Sequence, residues 1–257
     1  MMEWVRISMM RILKKIARKV YLLKKFKSFD VKGISVFGVN SSPVKFTDVN
    51  DLVNAHFEEK STLDHICKNT IQNALQRLSN KQAIIIETGS SAWGTNSSLL
   101  FDCYVSSFGG RFESVDIRIE PLIALQGQCS SNTHLNCDDS ISFLNKWSSK
   151  NKGVKIDLLY LDSWDVDWAN PNPSALHGLA EFLAASEHMQ LGSLLLIDDT
   201  PKNEDFYIAS KIDRPDFSDY FTKNGFYPGK GSLVKQLLLS LGRGREIAHQ
   251  YQLLWEF

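Results

Sequence analysis

The chain has 257 residues, enough for one large domain, or one domain with an appendage, and for a sizeable buried core. Hydrophobic residues at 43% and charged residues at 23% exclude a disordered or fibrous class, and 29 basic against 29 acidic side chains leave no net field, so no nucleic-acid partner is expected. Cys67, Cys103, Cys129 and Cys137 form no C-x-x-C pair and have no histidine at zinc-ligand spacing, which excludes a structural zinc or disulfide framework and fits reduced thiols in a cytoplasmic protein.

The balance hides an asymmetry. Residues 1–30 carry nine basic side chains and only Glu3 and Asp30 as acids, so the rest of the chain is acidic. Within that segment Val5, Met9, Ile12, Ile16, Val20 and Leu23 recur at steps of three and four, while Arg11, Lys14, Lys15, Arg18 and Lys25 gather opposite them. The pattern predicts a basic amphipathic helix. Its uses are a peripheral place at the inner face of an anionic membrane through residues 1–28, or packing on the domain or on a second copy in a homo-oligomer. A cleaved targeting peptide fits less well, because lysine outnumbers arginine and serine is scarce.

From about residue 48 the chain reads as helix-forming stretches, with Asp51 or Ser61 as candidate caps, so residues 31–80 are predicted to be a helical cap. Five short runs follow, alternating with helical stretches: 83–87, 112–117, 133–137, 156–162 and 193–199. Four of them are apolar enough to be buried on both faces. That order predicts an α/β domain over 81–257, a Rossmann-like doubly wound, mostly parallel sheet of about seven strands with the last one antiparallel.

In such sheets a ligand sits beyond the carboxyl ends of the strands. Glu87, Asp116, Asp138 with Asp139, Asp162, and Asp198 with Asp199 stand at or just past those ends. A solvated or capping role suits any one of them, Asp139 before "SISFL" being a good N-cap, but the whole set points to one site. The first turn, "ETGSSAWGTNSS", lacks the middle glycine of a dinucleotide fingerprint and sets Glu87 where it would oppose phosphates. An NAD- or sugar-nucleotide-binding oxidoreductase is therefore the second reading, and a ligand with cationic character fits better.

Acid-x-Gly after the first strand and an acid ending the second resemble class I S-adenosylmethionine-dependent methyltransferases. The likeness is nearest to the metal-dependent macrolide-sugar O-methyltransferases and the enzymes called cephalosporin hydroxylases. It continues through "VDI", "DDSISFL", "LYLDSWD" and "GSLLLIDDT", with a first loop that is longer and carries Trp93. The resemblance implies that Glu87 and Gly89 hold the methionyl end, with Ser91 also cofactor-binding, that Asp116 accepts the ribose hydroxyls, and that Asp139 and Ser140 flank the adenine. It also implies a magnesium site at Asp162, Asp198 and Asp199. The expected reaction is methylation of a hydroxyl on a glycan, a sugar or another small molecule; an inactive binding module of the same fold is the third reading.

A hydroxyl acceptor needs a base or a coordinated cation to become reactive. Asp162 serves through the metal, and His177, the histidine nearest a strand-end loop, is the candidate base. Trp164 and Trp168 flank that loop and are candidates for stacking on an acceptor. Lys230, in a Gly-Lys-Gly turn, is either a solvated lysine or a contact for an anionic acceptor.

Overall fold

The computed structural model describes residues 33–40, 44–91, 94–207 and 217–257. The amphipathic segment 1–30 and Trp93 lie outside the described residues.

Eight strands form one sheet: β1 (Ile34–Phe37), β2 (Ala83–Thr88), β3 (Gly110–Asp116), β4 (Thr133–Cys137), β5 (Leu158–Leu161), β6 (Leu194–Ile197), β7 (Arg245–His249) and β8 (Leu253–Glu256). Their order is β1-β4-β3-β2-β5-β6-β8-β7. The central five are parallel, whereas β1 pairs antiparallel with β4 and the β7–β8 hairpin closes the far edge antiparallel to β6. The chain order reverses beside β2, which has β3 on one side and β5 on the other.

Side-chain alternation explains the layers. Ile85, Leu158, Tyr160, Leu194 and Leu196 face one cluster, and Ile86, Leu159, Leu161, Leu195 and Ile197 face the other. All ten are buried, so each strand is apolar on both sides, as a sheet covered twice requires. Each such aliphatic side chain contributes roughly 1.5–3 kcal/mol of burial. The first face is covered by α1 (Val49–Glu59), α2 (Lys68–Arg77) and α3 (Ser97–Phe108). The second is covered by α5 (Ser140–Lys150), α6 (Asn172–Ala185) and α8 (Ser232–Leu241). Two shorter helices, α4 (Ile119–Gln126) and α7 (Phe217–Asn224), complete the described elements with two single 3₁₀ turns.

Three details depart from the sequence expectation. Residues 34–37, within the predicted helical cap, are an edge strand, with Ile34 39% and Phe37 56% exposed, so no buried apolar run announced it. The C-terminus supplies two strands rather than one, and with the unpredicted β1 the described residues form eight strands against about seven expected. Asp48, not Asp51 or Ser61, caps α1 by accepting from the amides of Asn50 and Asp51.

Candidate cofactor and metal site

A cavity of about 660 Å³ opens at the carboxyl ends of β2, β3, β4 and β5, beside the reversal of strand order. Gly89, Ser91, Asp116, Asp139, Ser140, Asp162 and His177, all singled out in the sequence, line it. Gly89 has φ +84°, and a Cβ there would stand 2.4 Å from the Asp162 carbonyl oxygen. Only glycine lets the first loop pass so close to the end of β5.

Glu87 does not line the cavity. It is fully buried and accepts hydroxyl bonds from Ser97 at Oε1 (2.5 Å), and from Ser98 (2.5 Å) and Ser114 (2.6 Å) at Oε2. The Ser98 hydroxyl in turn accepts from the Ser91 amide, and Ser90 Oγ lies 2.7 Å from Ser114 Oγ. Glu87 thus shapes the loop from beneath. Burial pushes its carboxyl up to about 7, with the three hydroxyls opposing that rise.

Asp116 ends β3 and holds the loop from the other side, accepting the Ser90 amide at Oδ2 (3.1 Å). Arg118 covers the same carboxylate: its backbone amide and Nε reach Oδ1 (2.7 and 3.0 Å), and Nη2 reaches Oδ2 (2.9 Å). No sequence motif marked Arg118. A basic residue two positions beyond a strand-end acid was the available signal.

Asp139 is the N-cap of α5, accepting from the Ser142 amide, as its position before an apolar helix indicated. Its neighbour Asp138 turns away to Lys146 Nζ (2.7 Å). His177 Nε2 lies 3.1 Å from Ser140 Oγ, 3.0 Å from Ser163 Oγ and 3.4 Å from Glu181 Oε1. That nitrogen joins α6 to the start of α5 and to the loop after β5, so the geometry suits a positioning role more than the expected general base. Trp164 is 50% exposed on the cavity wall with its ring 5.0 Å from that of His177. Trp168 instead packs edge-on against Tyr207 and Phe217, as a loop plug would.

Beyond Asp162 the expected acid cluster is assembled: one oxygen from each of Asp162, Asp198 and Asp199 lies within 4.8 Å of the others. Residues from distant elements hold it. Gln252 Nε2 donates to Asp198 Oδ1 (2.7 Å), the Tyr251 hydroxyl donates to Asp199 Oδ1, and the Cys67 thiol stands 3.6 Å from Asp198 Oδ1. Lys230 is the surprise. Neither solvated nor turned toward an acceptor, it is fully buried, with Nζ 2.7 Å from Asp162 Oδ1 and 3.5 Å from Asp199 Oδ2.

Burial drives Asp162 and Asp198 upward, opposed at both by Lys230. Burial alone would lower Lys230, but Asp162, then Asp199 and Asp198, outweigh it and hold the ammonium above its ordinary range. The two directions compete for the same proton. With Nζ 2.7 Å from Asp162 Oδ1, the charged lysine wins.

No protein-family model matches the sequence, and no curated protein matches it. Solved structures do match. MycE methyltransferase from the mycinamycin biosynthetic pathway, in complex with Mg and SAH, aligns with a TM-score of 0.53 at 16% identity over 84% of this chain and 55% of that one. MycE with Mg, SAH and mycinamycin VI gives 0.51 at 15% identity over 81% and 54%. An O-methyltransferase from Bacillus cereus in complex with SAH gives 0.48 at 11% identity over 83% and 92%. The chain spans about half the length of MycE. Five parallel strands with a reversal beside β2, an antiparallel C-terminal edge and the likeness to MycE give this chain the fold of the class I S-adenosylmethionine-dependent methyltransferases.

Proposed function

We propose that the protein is an S-adenosylmethionine-dependent methyltransferase that methylates a hydroxyl of a small molecule, sugar or glycan with help from a divalent cation. The observation that carries this reading is one continuous arrangement. The strand-end cavity has Asp116 on one wall, and Asp162 belongs both to the opposite wall and to the acid cluster.

The residues suit both groups. The volume accommodates a nucleoside with an amino-acid tail, and Asp116 offers two carboxylate oxygens of the kind that bind vicinal hydroxyls. Each aspartate of the cluster is fixed at Oδ1 by a protein donor, Lys230, Gln252 or Tyr251, while the second oxygens have only long contacts where any are seen, Asp162 Oδ2 at 3.4 Å from the Tyr160 hydroxyl and Asp199 Oδ2 at 3.5 Å from Lys230 Nζ, and could turn toward a common ion. An all-oxygen set with open positions suits magnesium. A bound divalent cation would lower the pKa of an acceptor hydroxyl and orient it. The chain's own residues do the rest: Asp116 and the Gly89–Ser91 loop would hold the cofactor, and Asp162 would link its reactive end to the acceptor side, where alignment supplies much of the rate.

The same geometry disfavours a dinucleotide. Glu87 lies beneath the first loop, and serines stand at 90 and 91 where the dinucleotide spacing would put its middle glycine. An inactive module of the same fold stays the alternative, because Asp162 and Asp199 are paired to Lys230 and Asp116 to Arg118; in favour of an enzyme, Asp116, Asp139 and Asp162 still line the cavity. We extend the proposal to residues 1–28 as a salt-sensitive contact with anionic membranes, motivated by the segment's charge and apolar stripe. Among the described residues no helix is long and apolar enough to cross a membrane.

The test is transfer of label from S-adenosylmethionine into glycan, lipid and small-molecule extracts, with and without chelator. Label incorporation that chelator abolishes and magnesium restores supports the reading. Incorporation unaffected by chelator would remove the cation, and reduction of NAD by the same extracts would favour the oxidoreductase.

A further inference from the structure

We infer that Lys230 is a built-in counter-charge that sets which cation valence the Asp162–Asp198–Asp199 cluster accepts. This rests on the proposed metal site and goes beyond it. The lysine is the one charged side chain that touches the cluster among the described residues, and it is not placed there by chance of rotamer.

The backbone fixes it. The Lys230 amide donates to the Asp199 carbonyl (3.0 Å), and the Gly231 amide donates to Thr200 Oγ1 (2.8 Å), so the turn is tied to the end of β6. Gly229 has φ +152°, and a Cβ on it would come within 2.7 Å of the Asp199 carbonyl oxygen. On the other side Gly178 of α6 leans on the turn, where a Cβ would be 2.6 Å from the Lys230 carbonyl. Two glycines and two backbone bonds therefore deliver one ammonium to the inside of the cluster, with no exposed surface of its own.

The consequence is a charge count. Three ionised carboxylates with one ammonium sum to a double negative charge, which a divalent cation neutralises and a trivalent cation overshoots. In a buried setting such an excess is costly, because a charge imbalance is poorly screened there. Without the lysine the cluster carries a triple negative charge, and the preference moves toward trivalent ions. Lys230 is thus a positioning and selectivity residue: it acts on the ion through the carboxylates and does not touch an acceptor.

The experiment compares Ca²⁺ and Tb³⁺, which differ mainly in charge and little in size, binding to the full chain. Terbium luminescence and calcium competition give two dissociation constants, whose ratio cancels the energy of the empty cluster. Lys230→Met should raise the preference for Tb³⁺ over Ca²⁺ by about ten- to a hundredfold, the size of one added charge at short range. Lys230→Arg should keep the wild-type ratio. Lys230→Gln retains a donor for Asp162 while losing the charge, and it provides the same comparison should the methionine variant not fold.

An unchanged ratio in a folded Met or Gln variant overturns the inference and leaves the metal site standing. Failure of the wild-type protein to bind either ion, or binding that survives in Asp198→Asn, overturns the metal site and the inference with it.

Discussion

Arg118 closes as a fork over Asp116, Nε to one carboxylate oxygen and Nη2 to the other, at 3.0 and 2.9 Å. Those are the oxygens proposed to receive the ribose hydroxyls, so the guanidinium must leave before they can. The arginine side chain is 67% exposed although the Asp116 carboxylate beneath it is buried, so the guanidinium can swing out into water. Arg118→Ala is therefore expected to tighten S-adenosylhomocysteine binding by a few-fold in calorimetry. Weaker binding would mean that the guanidinium lies on the ligand instead of in its way.

Glu87 carries a pH signature. Its carboxyl is raised from 4.5 to about 7 in the folded protein, chiefly by burial. A raised folded value means that the folded state binds the proton more tightly. The associated stability is present below about 4.5 and is lost as pH rises through about 7. The shift corresponds to about 3 kcal/mol. In urea unfolding, the stability of the wild type relative to Glu87→Gln should fall by roughly that amount between pH 4.5 and 7.5. A flat difference across this window would mean that the three serine hydroxyls hold Glu87 ionised throughout.

His177 separates two roles. With Nε2 held among Ser140, Ser163 and Glu181, its loss should loosen the wall of the cavity. His177→Ala is expected to weaken cofactor binding by about 1 kcal/mol, the net size of a typical hydrogen bond, while changing kcat only a few-fold. A hundredfold or greater fall in kcat with cofactor affinity intact would restore histidine as the base.

How legible this was from sequence depends on where a signal is written. β2, β5 and β6 announce themselves because burial on both faces demands unbroken apolar runs such as "AIIIE" and "SLLLI". Strand-end acids follow from the topology, so Asp116, Asp162, Asp198 and Asp199 were identifiable before any contact was known. β1 was hidden because an exposed four-residue edge strand needs no such run. Glu87 was given a direct role because a sequence shows that an acid follows a strand, not which way it points. The partners of the acid cluster, Cys67, Lys230 and the adjacent Tyr251 and Gln252, come from three separate parts of the chain and share no motif. A lysine in a Gly-Lys-Gly turn reads as solvated by default, and only the packing of that turn between β6 and α6 buries it.

Whether the strand-end cavity holds S-adenosylmethionine is decided by calorimetric titration of the full chain with S-adenosylmethionine and, separately, NAD. Saturable binding of the first and none of the second is expected, with Asp116→Ala weakening the first by about 1–3 kcal/mol through lost charged hydrogen bonds. Binding of NAD in place of S-adenosylmethionine, or S-adenosylmethionine affinity unchanged in a folded Asp116→Ala variant, would contradict it.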